Sequence, residues 1–177
     1  MITKAENSAG APALPSVSAW SVAWTKARCE KSLCEYLEAL KVPHFLPLVT
    51  KRRLYGARVR YSQLPLFSGY VFFDGAAIER QRVFESRKVA QVLVPNDPEE
   101  LRKELANLAV ALLDDETLRE TRFGQSGRRV IVKSGPFRGL YGKLVRYDGL
   151  AHLIVEVDFI GKAAQLRMDE AFLEPVY

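Results

Sequence analysis

RVIVKSGPFRGLYGKLV, residues 129–145, sets the organisation of this chain. An apolar run is followed by Ser134-Gly135-Pro136-Phe137, a second glycine at Gly139, and a Gly142-Lys143 pair that leads into another apolar run. The spacing predicts strand, tight arch, strand, with Gly135, Gly139 and Gly142 holding backbone angles that other residues resist. Further on, Leu153, Val155, Val157 and Phe159 alternate at period two, Gly161-Lys162 marks a turn, and residues 165–168 read as the returning antiparallel strand. Residues 127–177 are therefore expected to form a small all-strand domain, near the lower size limit for independent folding.

The pattern differs upstream. Residues 115–126, DETLRETRFGQS, are polar and aperiodic and read as an interdomain linker. Nothing in that segment demands docking, so the two domains are expected to tumble separately. Residues 19–114 mix both kinds of periodicity. Trp20, Val22 and Trp24 share one face of a strand, and Cys29, Leu33, Tyr36, Leu37 and Leu40 stripe a helix over 27–40 that Pro43 ends. Residues 44–55 and 57–61 read as a hairpin with a basic tip around Gly56. LPLFSGYVFFD, residues 64–74, is the most apolar strand and is expected to be central, with a bulge at Ser68-Gly69. A helix over 77–86 and a strand over 89–94 follow. The last helix opens with Asp97 as cap, Pro98 in first position and Glu100 completing a capping box, and Leu101, Leu105, Leu108 and Leu112 form its stripe. The fold class is α+β, with helices on a mainly antiparallel sheet, then the strand domain. Residues 1–18, rich in Ala, Pro and Ser, read as a flexible tail.

With 48% hydrophobic and 27% charged residues, the 177-residue chain has globular chemistry. A net charge of +5 and a pI of 9.3 point mildly to an acidic partner. The charge is polarised: residues 51–60 hold five basic and no acidic side chains, whereas residues 97–116 hold seven acidic and two basic ones. The apolar runs of the tail are too short for a signal peptide or a membrane span, so a soluble cytoplasmic protein without a membrane partner is expected. Cys29 and Cys34 make no disulfide framework, and His44 and His152 show no metal-ligand spacing. No phosphate-cradling loop, nucleophile elbow or acid pair is present. The expectation is a non-enzyme that uses no cofactor and no metal.

Residues 129–145 resemble the KOW motif. Three stretches of the first domain, W-S-V-A-W-T-K-A-R-C-E-K (20–31), F-L-P-L (45–48) and P-L-F-S-G-Y-V-F-F (65–73), resemble the N-terminal NGN domain of NusG-type transcription factors. The T-K-x-R-x-E pattern with F-L-P-L and P-L-F is closer to RfaH-type antiterminators than to general NusG, and Ser68 stands where the family usually has proline. The resemblance spans residues 19–177. It implies an NGN α/β sandwich and an SH3-like KOW β-barrel, in an elongation or antitermination factor that binds the RNA polymerase clamp and promotes processive, operon-specific elongation. Trp24, Phe67, Tyr70 and Phe72 would form a depression for the clamp helices of the β′ subunit. Tyr70 and Phe72 share a face by parity, and Phe67 joins them through the bulge. Lys26, Arg28 and Lys31 would lie near upstream or non-template DNA, as would Arg52, Arg53, Arg58 and Arg60 of the hairpin. The loop Phe159, Ile160, Gly161, Lys162 would meet a small-subunit ribosomal protein or Rho. Ile160 replaces the phenylalanine of general NusG, which weighs toward the ribosome. Some RfaH proteins fold the second domain as helices that mask the polymerase site. The alternation over 153–159 and the recurring glycines predict strands here. The alternative from another class is a KOW-type RNA-binding protein of ribosome assembly or translation. It accounts for residues 127–177 and leaves the first domain unexplained.

Overall fold

The structure, a computed structural model, describes residues 13–17 and 19–177. Most of the expected tail, 1–12 and Ser18, lies outside the described residues. Residues 13–17 contradict the reading of a free tail, because Leu14 and Val17 pack against the core.

The first domain runs β1 (Trp20–Thr25), α1 (Glu30–Ala39), β2 (His44–Phe45), β3 (Leu48–Tyr55), β4 (Arg58–Pro65), β5 (Tyr70–Asp74), α2 (Ala77–Glu85), β6 (Val89–Leu93) and α3 (Pro98–Ala111). Strands β2-β5-β1-β6 form an antiparallel sheet in that order. Its pleat sorts the side chains. Ala23, Val71 and Phe73 meet Leu33, Cys34 and Leu37 of α1 and Val83 of α2. Trp20, Val22, Phe45 and Phe72 face the other way, toward Leu101, Leu105 and Leu108 of α3. Each fully buried phenylalanine or leucine contributes about 1.5–3 kcal/mol relative to exposure. The cap of α3 forms as the sequence predicts: the Asp97 carboxylate accepts the N–H groups of Glu99 and Glu100, both at 3.0 Å. Such a cap is worth about 1 kcal/mol.

Three expected elements change. The helix over 27–40 starts at Glu30, because Arg28 sits at φ +61. The strand over 44–55 divides into β2, on the sheet, and β3, which pairs only with β4. The strand over 64–74 divides at a four-residue turn, Phe67 to Tyr70, closed by the Tyr70 N–H on the Phe67 carbonyl at 3.4 Å. Gly69, at φ +86, occupies the third position of that turn, where a type II turn needs glycine. The expected bulge is therefore a turn.

The second domain holds β7 (Arg119–Thr121), β8 (Arg128–Val132), β9 (Tyr141–Tyr147), β10 (Leu150–Val157), β11 (Lys162–Arg167) and β12 (Leu173–Pro175). They form one antiparallel sheet in the order β12-β8-β9-β10-β11-β7. Every regular element after α3 is a strand or a short 3-10 turn. Gly142 is required by crowding, since a Cβ there would run into the Ile154 carbonyl of β10.

The expected linker is largely built into the fold. Leu118 is fully buried, and Arg119–Thr121 pair with Ala163 to Gln165 of β11. Asp115 receives the Thr50 hydroxyl at 2.7 Å and the Thr50 N–H at 3.2 Å. The expectation of independent domains fails with it. Helix α3 is buried on two sides, and the second side carries Glu104, Asn107 and Ala111. Asn107 bonds Tyr141 twice, its Nδ2 donating to the carbonyl at 2.8 Å and its Oδ1 accepting the N–H at 3.0 Å. Val155 and Val157 belong to the same buried cluster as Leu101 and Leu105.

Candidate functional site

Trp24 and Tyr70 are directly opposed on β1 and β5. Trp24 is 47% exposed, although tryptophan has much to gain from burial. Tyr70 is half-buried beside it. The turn that follows β4 fixes the pair. The Gly69 N–H donates to the buried Glu30 carboxylate at 2.7 Å, and the Thr25 N–H donates to the Gly69 carbonyl at 2.8 Å. Gly69 thereby lies against the Trp24 indole, with room for only van der Waals contact.

Phe67 and Phe72 do not join this surface; both are fully buried. Phe72 points at α3 and stacks near Phe45, ring centroids 6.2 Å apart. Phe67 is turned into the same core by the tight turn, where a bulge would have brought it toward Tyr70. The expected aromatic quartet is a pair.

The cations at the start of α1 lie close by in the chain. Lys26 and Arg28 are exposed. Lys31 is exposed too, but its Nζ donates to the Gln63 carbonyl at 2.7 Å, which ties α1 to β4. Arg52 and Arg53 are exposed and fall on opposite faces of the β3–β4 hairpin, since Arg52 pairs with Tyr61 and Arg53 with Arg60.

The loop of the second domain departs from the alternation that placed Phe159 in line with Val157. The strand ends at Val157, and Asp158–Ile160 form a 3-10 turn. Phe159 is exposed, Ile160 packs against the core, and Lys162 pairs with Glu120 at 2.7 Å. Gly161, at φ +60, closes the turn into β11. The Asp158 N–H donates to Glu104 of α3 at 3.0 Å, so this loop abuts the first domain.

Glu104 and Asn107 escaped the sequence reading because polar residues on a helix normally mark its solvated side. Burial is the main reason the Glu104 carboxyl titrates up at about 7 instead of its ordinary 4.5, with Asp158 and Glu100 adding to it. Cys34 is buried, and its thiol is pushed up to about 12, so it stays protonated and unreactive. Among the described residues no group of three His, Cys, Asp or Glu is placed to hold a metal, and no helix is long and apolar enough to cross a membrane.

A family model described as Transcription termination factor nusG matches residues 18–108, just over half of the chain. The chain belongs to the NusG family. A comparison with curated proteins found no match. NusG-family factors act in transcription and bind RNA polymerase. The matched segment holds Trp24, Tyr70, the start of α1 and the whole hairpin, and it ends within α3.

Proposed function

We propose that this NusG-family chain is a non-enzymatic elongation and antitermination factor that docks on the β′ clamp helices of RNA polymerase, in the operon-specific manner of RfaH. The exposed Trp24 beside Tyr70 carries this reading. The other aromatics of this four-stranded sheet, Trp20, Phe45, Phe72 and Phe73, are buried, whereas these two meet at the surface of the family-matched sheet. An aromatic anchor desolvated at a protein interface is worth about 2 kcal/mol or more. Docked there, the factor holds the clamp closed by binding alone. Lys26 and Arg28 attract the phosphates of upstream or non-template DNA, and that attraction weakens steeply with salt.

The second domain acts in this reading as a KOW-type, SH3-like barrel. Its sheet order and the arch over residues 133–140 support that assignment. Phe159 is the side chain of the 159–162 loop most available to a small-subunit ribosomal protein or Rho. A stand-alone RNA-binding role in ribosome assembly would leave the first domain without a task.

Capture of the chain by a β′ clamp-helix fragment tests the proposal. Trp24→Ala and Tyr70→Ala are each expected to weaken binding by about 2 kcal/mol, roughly thirtyfold in Kd, with the thermal midpoint nearly unchanged. Full binding by the doubly substituted protein would refute it.

A further inference from the structure

A groove of about 520 Å³ lies between the two domains. One wall is the base of the β3–β4 ribbon and the other is β7 of the second domain. The groove exists because the domains are docked, and the two bonds between Thr50 and Asp115 join its walls.

The register fixes what the ribbon presents there. Val49 opposes Leu64, and Lys51 opposes Ser62. Directly opposed residues share a face, and residues two apart along a strand do too. Val49, Leu64 and Lys51 therefore occupy one face, and all three line the groove. Val49 is buried and Leu64 half-buried, so the floor is aliphatic. One rung further along, it gives way to the exposed Lys51. That rung spacing is about 7 Å, the distance between alternate side chains of an extended peptide.

The opposite wall carries Arg119, half-buried, whose Nη1 donates to the Leu118 carbonyl at 2.7 Å. Among the described residues neither Lys51 nor Arg119 forms an ion pair. The acids of the groove are engaged: Glu30 accepts the Gly69 N–H, and Glu120 pairs with Lys162. Two cations thus face one cleft without a carboxylate to balance them. Strand β7 also ends its sheet, and among the described residues no strand pairs with its outer edge. An open edge accepts the backbone of an extended chain.

These features select among anions. None of the described residues that line the groove is aromatic, so an unpaired base finds no face to stack on. A lone phosphate would leave the aliphatic floor in water. A peptide satisfies every part: carboxylates for the cations, an aliphatic side chain for the floor, and a backbone for the edge.

We infer that this groove receives an extended acidic segment of a partner protein, with carboxylates on Lys51 and Arg119 and an aliphatic side chain over Val49 and Leu64. Both domains contribute to the site, so occupancy and domain docking favour each other. The inference goes beyond the proposed function and does not rest on it, since Trp24 and Tyr70 lie outside the groove.

The test is fluorescence anisotropy of the full chain with a labelled peptide in which glutamate and leucine take turns at every second position, with serine between them. The parent is expected to bind it. Combined Lys51→Gln and Arg119→Gln should weaken binding by about tenfold, and glutamine in place of the peptide's glutamates should do the same. Serine in place of its leucines should also weaken binding, because the floor is then left uncovered. Arg87→Gln with Arg167→Gln removes equal charge away from the groove and is expected to change affinity by less than about twofold. Charge reversal supplies a gain that misfolding cannot imitate: Lys51→Glu with Arg119→Glu should release the acidic peptide and bind the corresponding lysine–leucine peptide. Trp24→Ala with Tyr70→Ala should leave peptide binding intact, so failure of the clamp-helix reading and failure of this one are separate results. The inference is overturned if the parent does not bind, if the groove variant binds as the parent does, if the outlying variant loses as much, or if the reversed variant ignores the lysine peptide. It is also overturned if a DNA strand of equal charge binds more tightly with the same dependence on Lys51 and Arg119, which would mark the groove as a nucleic-acid site.

Discussion

Gly69 concentrates several constraints in one residue. Its backbone closes the turn, its N–H is held by Glu30, and its Cα lies under Trp24. An added Cβ would approach the indole no closer than 3.5 Å, so space is not what excludes a side chain. The backbone at φ +86 is. An L-residue held in that region costs about 1–2 kcal/mol. Gly69→Ala is expected to lower stability by that amount in urea unfolding and to alter the fluorescence of the exposed Trp24. A variant as stable as the parent would show that the turn relaxes freely. The Ser68-Gly69 pair was legible as a special point in an apolar strand. Whether it was a bulge or a turn was not, because both conformations place a glycine at positive φ. That ambiguity decided the site: a bulge would have left Phe67 near Tyr70, and the turn buries it.

At the level of elements, the legible features were those with a local cause. The cap of α3 follows from Asp97 and Pro98, and the strands of the second domain follow from alternation and glycines. The β3–β4 hairpin with its basic tip around Gly56 was legible too, whereas the placing of Arg52 and Arg53 on opposite faces comes from the register. What stayed hidden depends on partners far away in sequence. Arg119–Thr121 are too short and polar to announce a strand, yet β11 supplies an edge for them. Asn107 looks like a surface residue until Tyr141, 34 positions later, offers both its backbone groups. Asn107→Ala removes two hydrogen bonds and strands those groups at a buried contact. The expected cost is about 2 kcal/mol, seen as faster amide exchange at Tyr141 and its β9 neighbours while β1 and β5 keep their protection. Equal exchange in both proteins would mean the contact does not hold the domains together.

For the whole molecule, the consequence is that the two domains share one buried cluster while the Trp24–Tyr70 surface stays open. Docking uses the back of α3, and the exposed Trp24 shows that the second domain does not cover it. No helical refolding is needed to unmask this site, because the second domain already consists of strands. The clamp between the domains also carries a titratable group. Glu104 is 7% exposed, and its carboxyl titrates at about 7 because burial disfavours the charge, with Asp158, Glu100 and the raised Tyr141 phenol around it. In the unfolded chain it returns to about 4.5. The folded form binds the extra proton between those values, so stability from this group is complete below about pH 4.5 and lost as pH rises through about 7. At 1.36 kcal/mol per pKa unit, the loss is on the order of 3 kcal/mol by pH 8. His44, whose pKa burial lowers, acts in the opposite direction, toward instability in acid. The measurement must therefore be a difference. Urea midpoints of the parent and of Glu104→Gln, taken from pH 5 to 8, should converge at the acid end and separate toward pH 8, where the parent is weaker. Parallel pH profiles for the two proteins would show that Glu104 does not couple docking to pH.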